Sequence, residues 1–360
     1  VTELSARRPM PYYLDETQHQ ELTRASTSWR WRSEWPTWLL ICLIYGGWFG
    51  IALNAQRLGL SVALPLLAVL SAWYMSLQHE LLHGHPTRFA LVNALIGAAP
   101  LAVWFPYGVY RRTHLQHHCD HDLTRPCADP ESFFIGEHAW TSTGPAMRAL
   151  MTFRNTFVGR ILIGPAFAIV ATLGDAIRRI RAGDTQELRN WVLHIAALTL
   201  LLGWLDRRCG IAPLAFLAAA SYPALSISAI RSFHEHRVAV DPARRSVINE
   251  AAWPWRLLFL NNNFHAVHHD LPGVPWFALG RVYANRRSDY HVRNGGYLVR
   301  GYGEWLTRFA WNPVAPVAHP LYGDSVDEGG RQHRAVARRT TDVQLDTGDR
   351  NGLAHVVERA

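Results

Sequence analysis

The chain has 360 residues, a net charge of +8 and 49% hydrophobic residues, but only 18% charged side chains. All of its basic charge is arginine, because there is no lysine, and the arginines flank long uncharged runs. That distribution argues against a nucleic-acid-binding face and for the positive loops of a polytopic membrane protein of one or two domains. Four cysteines (Cys42, Cys119, Cys127 and Cys209) form no CxxC pair, which excludes a disulfide framework and leaves a zinc site at Cys119 and Cys127 without a second pair.

In chain order, residues 1–36 read as a polar arm with Arg7, Arg8, Arg24, Arg30 and Arg32, and they lack the apolar core of a signal peptide. Residues 37–55 are uncharged and long enough to cross about 30 Å of hydrocarbon, with Trp29, Trp31, Trp35 and Trp38 as an aromatic belt. A short turn at residues 54–57 leads into a second uncharged run, 58–77. Five arginines before the first run against one in the turn place the arm, and the histidines after the second run, on the cytoplasmic side. Residues 89–110 are uncharged too, yet Gly97, Pro100, Pro106 and Gly108 interrupt them, and a single crossing there would put the histidines on either side of it on opposite faces of the membrane. They are predicted to re-enter without spanning. Residues 161–174 are too short to span and predict an interfacial helix ahead of Arg178, Arg179 and Arg181. Runs at 191–205 and 210–230 predict a second hairpin turning at Asp206, Arg207 and Arg208, where two arginines face outward against the positive-inside tendency. A further interfacial helix is predicted over 301–311. Residues 312–360 read as a tail, disordered from Asp324 on composition.

Eleven of the 19 histidines fall in four short stretches: HELLHGH (79–85), HLQHH (114–118), HEH (234–236) and HAVHH (265–269). Spacings of three and four place imidazoles on one helix face, and imidazole is a common metal ligand at neutral pH. His79-Glu80-Leu81-Leu82-His83 is also a literal HExxH, the zinc-protease signature, but that reading leaves the other clusters without a role. So many nitrogen ligands at the ends of apolar helices suggest more than one metal ion, and a long apolar substrate could lie along the bundle beneath them.

HELLHGHP, RRTHLQHH, HEHR and NNNFHAVHHDLPGVPWF resemble the histidine boxes of the membrane-bound fatty acid desaturase family, over residues 77–311. The resemblance implies an all-α polytopic membrane protein with two transmembrane hairpins, about four spans, and a cytosolic histidine-rich cap. Its membrane domain would cover 37–311. It implies a diiron centre, two Fe ions using O2 and two electrons to introduce a C=C bond into a fatty acyl chain or another aliphatic substrate. Carried over position by position, the ligands are His79 and His83; His114, His117 and His118; His236, which fits better than His234; and His265, His268 and His269, with His85 a further candidate outside these nine. Glu80, Asp120, Glu235, Asp270 and Asn261 to Asn263 are candidate partners for the far imidazole nitrogens. No His-Pro-Gly-Gly haem motif is present, so a separate electron donor, a ferredoxin or similar carrier, is implied, with the cell inner membrane as location. Short bacterial relatives include enzymes with non-lipid, amino-acid-derived substrates such as dihydrorhizobitoxine. Hydroxylases and ketolases share the same centre.

Overall fold

The computed structural model describes residues 11–322; the start of the polar arm and the charged tail from Asp324 lie outside the described residues. Four helical segments are long and apolar enough to cross a membrane: Trp35–Leu53, Leu60–Leu82, Thr185–Cys209 and Pro213–His234. The chain is therefore an all-α polytopic membrane protein. Ahead of the first span lie α1 (Glu16–Ser26) and α2 (Trp29–Ser33), and the spans α3 (Trp35–Leu53) and α4 (Leu60–Leu82) form the first hairpin. Gly59 makes the turn at φ +79°, a conformation open to glycine because it lacks a Cβ.

The outward faces of the spans are apolar. Leu39, Leu43, Val62, Leu66 and Val69 are exposed on the first hairpin, as are Val192, Leu193, Ile195, Leu200 and Leu214 on the second. Aqueous exposure of so much contiguous apolar surface is costly, and a bilayer removes the cost. The inner faces are filled: Ile44, Trp48, Leu67, Tyr74, Leu77 and Phe216 are fully buried. Trp48 meets Phe216 edge-on at 5.9 Å between centroids and donates its indole N–H to Ser71 Oγ at 3.1 Å. A large interior aromatic is costly to bury unless its polar atom is paired, and here it is.

Two predicted boundaries shift. The second span runs unbroken to Leu82, five residues past the uncharged run, because Gln78, His79 and Glu80 are buried in the bundle rather than solvated. The second hairpin turns after Cys209, not at Asp206 to Arg208, since Leu205–Cys209 continues the helix as a wider π-type turn. Gln56, between α3 and α4, donates its amide to the carbonyls of Cys209 and Gly210 at 3.1 and 2.9 Å. Both hairpin turns thus meet at the end of the bundle opposite the histidines.

Residues 89–110 are not among the spans and contain α5 (Ala90–Gly97) and the start of α6 (Tyr107–His117), joined by an irregular segment. A helix end away from water must have its carbonyls satisfied. The Tyr74 hydroxyl and the Gln78 amide both reach the Gly97 carbonyl at 2.7 Å. A Cβ on Gly97 would stand 2.6 Å from the Tyr107 ring, so close packing of the two limbs requires glycine there. After three short helices (Glu137–Ser142, Pro145–Arg154 and Phe157–Leu162) comes α7 (Gly164–Arg181), which is not among the spans. It exposes Val170, Leu173 and Ile177 and ends in arginines, the pattern of a helix lying in an interface.

The remaining polar chain folds over the α4 end of the bundle. It contains the pair of two-residue parallel strands Ile248–Asn249 and Leu298–Val299, together with α8 (His265–Asp270), α9 (Trp276–Asn285) and α10 (Tyr302–Phe309). The arm does not stand apart from it. Tyr12 N–H donates to the Asp270 carbonyl at 2.7 Å, Gln18 reaches Tyr290 Oη at 3.1 Å, and Arg286 pairs with Asp15 at 3.2 Å. Residues 312–322 are also packed, through the Ile135 and Ala318 bridge and the buried His319.

Candidate metal centre

Helix geometry decides how the imidazoles sort. Residues four apart on an α-helix are offset by about 40° and point together, whereas residues three apart diverge the other way by about 60°. His79 and His83 therefore point together from the end of α4, as do His114 and His118 from α6, while His117 turns aside. In the third box His265 and His269 pair on α8, and His268 turns aside. The result is two groups: His79, His83, His114, His118 and His268 in one, and His117, His236, His265 and His269 in the other. Within each, the potential ligand atoms lie within 4.8 Å of one another, and all nine side chains are buried. The groups are neighbours, since His118 stacks on His269 at 4.4 Å between centroids. His236 is placed by a different device, an antiparallel bridge to Ser246 backed by Val247 N–H to the Glu235 carbonyl at 2.9 Å.

Outward-facing nitrogens are held by the cap. His114 Nδ1 meets Glu131 at 2.8 Å, and His117 Nδ1 meets Asp129 at 2.8 Å. Asp129 is itself fixed by the backbone N–H groups of Thr124 and Glu131, both at 2.9 Å. His265 Nδ1 meets Asn262 Oδ1 at 3.2 Å, and His236 Nδ1 meets Ser246 Oγ at 3.2 Å. A carboxylate on Nδ1 fixes the proton there and leaves Nε2 as a lone pair aimed inward, the usual support of a metal-bound imidazole.

Inward-facing nitrogens are crowded. Nε2 atoms stand 3.1 Å apart in His114 and His118 and in His118 and His268. The separations are 3.0 Å for His117 and His236, 3.0 Å for His236 and His265, and 3.2 Å for His265 and His269. Such contacts need a shared proton or a cation. In the first group protons are disfavoured: burial, reinforced by the neighbouring imidazoles, holds His83, His118 and His268 well below the usual imidazole range. His83 Nε2 and His118 Nδ1 find no hydrogen-bond partner among the described residues. His117 differs. Burial pushes its imidazole down, but Glu131 and Asp129 outweigh that and raise it to about 9.

A metal cation fits both groups. Two nitrogens bound to one ion at about 2.1 Å lie about 3.0 Å apart at right angles and about 3.4 Å apart at the tetrahedral angle. The shortest observed separations, 3.0–3.2 Å, fall within the range spanned by two nitrogens on one ion. Five imidazoles around His79 and His83 exceed the three protein ligands of a catalytic zinc, and Glu80 accepts from Trp276 N–H at 3.0 Å.

The structure brings together all nine histidines singled out in the sequence. His85 lies apart, bonded to Glu34, and His234 packs its ring on Tyr297. Cys119 and Cys127 are exposed and belong to neither group. Of the candidate partners, Asn262 serves His265, Glu235 stands 3.5 Å from His265 Nδ1, and Glu80 stands 3.7 Å from His79 Nδ1. Asp270 instead pairs with Arg293 at 2.6 Å, while Asn261 and Asn263 bond to backbone carbonyls. The side chain of Asp120 lies outside the described residues. Sequence reasoning missed Asp129, Glu131 and Ser246. The acidic pair follows the second box by little more than ten residues, and its spacing on a turn gives no periodic signal.

A family model for fatty acid desaturases matches residues 55–300. No curated protein matches the chain.

Proposed function

The chain belongs to the fatty acid desaturase family, and we propose that it is a membrane desaturase, introducing a C=C bond into an aliphatic substrate with O2 and two electrons at a histidine-held diiron centre. The observation that carries this reading is the double group of buried imidazoles, with inward nitrogens 3.0–3.2 Å apart and outward nitrogens tied to carboxylates. In it, His79, His83, His114, His118 and His268 hold one iron, and His117, His236, His265 and His269 hold the other. Iron so held supplies the redox activation of O2 that an unactivated C–H bond demands and that zinc lacks.

The protein's own residues hold and orient. Glu131 and Asp129 fix the rings of His114 and His117, and the packed bundle beneath excludes water from the inner side. The balance is simple. The substrate gives up two hydrogens, the donor gives two electrons and solvent two protons, and O2 leaves as two waters. The donor is a separate carrier such as a ferredoxin.

Both hairpin turns lie opposite the histidines, which supports one polar side for the whole centre. Arg30 and Arg32 before the first span support the cytoplasmic side of the inner membrane, against Arg207 and Arg208 at the far end. The test is expression beside a ferredoxin system, with mass spectrometry of lipid and polar extracts. A product two hydrogens lighter is expected. A product heavier by one oxygen atom makes the enzyme a hydroxylase of the same family.

A further inference from the structure

Asp129, the carboxylate that fixes His117, is carried by an irregular turn under strain. Thr124 and Cys127 there take φ +70° and +65°, and a β-branched residue is rarely found in that left-handed region. Three hydrogen bonds hold Thr124 in place. Its N–H donates to Asp129 Oδ2 at 2.9 Å, its carbonyl accepts from Ser132 Oγ at 2.8 Å, and its hydroxyl meets His319 Nε2 at 3.2 Å. The first two belong to the turn itself. The third comes from 195 positions further along the chain.

His319 lies in the segment 312–322, beyond the residues 55–300 that the family model matches. Backbone bonds lay this segment along the turn. Ile135 N–H donates to the Val317 carbonyl at 3.0 Å, and His319 N–H donates to the Ile135 carbonyl at 2.9 Å. The His319 ring is buried, edge-on to Phe134 at 5.0 Å between centroids. Its Nδ1 accepts from the N–H groups of Leu321 and Tyr322, both at 3.1 Å. Burial, with Arg245 and Arg125 nearby, holds the imidazole down to about 4, so it stays neutral. A neutral ring that accepts at Nδ1 carries its proton on Nε2, which therefore donates to Thr124 Oγ1. Packing alone does not call for this. Val314 and Val317 are buried and would dock the segment without an imidazole, whose polar atoms are costly to bury unless paired.

Resting on the two-metal reading, we infer that His319 is a positioning residue of the second imidazole group, acting through Thr124 and Asp129 on the ring of His117. The segment 312–322 thus braces the centre from behind. Glu131 rides on the same turn, but Thr124 bonds to Asp129, so the effect falls on His117 rather than on His114.

The test is anaerobic competition of Fe(II) with a chelator on the full-length protein. Affinity of the second group is read in a His114→Ala background and that of the first in His117→Ala. Thr124→Val keeps the shape and deletes the hydroxyl, while His319→Phe keeps a ring and deletes both nitrogens. Each should weaken the second group about fivefold, less than removal of the Asp129 carboxylate itself, and change the first less than about twofold. The two together should cost no more than either alone, because they break one chain of contacts, and neither should add to Asp129→Asn. Thr124→Ser and His319→Gln, which keep the hydroxyl and an N–H donor, should restore the affinity. Equal weakening of both groups, additive losses or no recovery in Thr124→Ser overturns the inference. So does a lowered melting temperature with both affinities unchanged, which would leave the segment as packing. The expected pattern with zinc bound and iron refused upholds the brace and defeats the redox reading instead.

Discussion

The two imidazole groups are made of the same residue type in the same protein, yet they are built differently. The first rests on two i, i+4 pairs, from the 23-residue span α4 and from α6, with His268 added from the cap. The second takes His117 from α6 and everything else from the cap: His236 from a bridged extended segment, and His265 and His269 from a six-residue helix. Its charge differs at one residue, because Glu131 and Asp129 hold a proton on His117, while burial strips protons from the first group and from His236 and His265 alike. A helix anchored in the bundle gives the first group most of its geometry, with Glu131 holding His114 and His268 joining from the cap. The second depends on hydrogen bonds from loops to orient its rings, and so it should be the weaker and more tunable metal site.

The sharpest way to break this contrast uses two residues three apart on one helix. His114→Ala should empty the first group and His117→Ala the second, each lowering metal affinity there by more than about a hundredfold and halving the iron per chain. Equal loss from both groups in either variant would mean one joint site.

Acidity should separate the groups next. His117 titrates near 9 in the metal-free protein, so below that pH a metal must displace its proton. Affinity at the second group should fall about tenfold per unit as the pH drops from 8 to 6, whereas the first group, whose imidazoles are held low, should change little. Stability of the metal-free fold runs in the matching direction. The raised His117 contributes stability that is fully present below about 6.5 and is lost as the pH rises through about 9. Metal competition titrations and thermal melts across pH check both.

Smaller effects belong to the supporting loops. Asp129→Asn should cost the second group about 10–100-fold in affinity and flatten its pH dependence, because the His117 proton loses its carboxylate. Ser246→Ala, removing a neutral partner of His236 at 3.2 Å, should cost only about fivefold. A reversed order would place the orienting power outside these hydrogen bonds.

Much of the fold and the site was legible in the sequence. Uncharged runs marked the spans, and glycines and prolines marked the stretch after α4 that is not among them. Histidine spacing marked the groups, because helical period and ligand convergence leave a periodic trace. What stayed hidden lacks such a trace. Asp129 and Glu131 act from an irregular turn whose side chains are aimed by backbone hydrogen bonds. The burial of Gln78, His79 and Glu80 carried α4 past the point where composition turns polar. The N-terminal helices look like a solvated arm because the polar groups that dock them, Asp15 on Arg286 and Gln18 on Tyr290, pair with residues more than 270 positions away.

If each group holds its own iron, metal analysis of the purified protein will find two irons per chain and no stoichiometric zinc, with one iron left in His114→Ala and one in His117→Ala. A single tightly bound zinc, retained in both His114→Ala and His268→Ala, would contradict it.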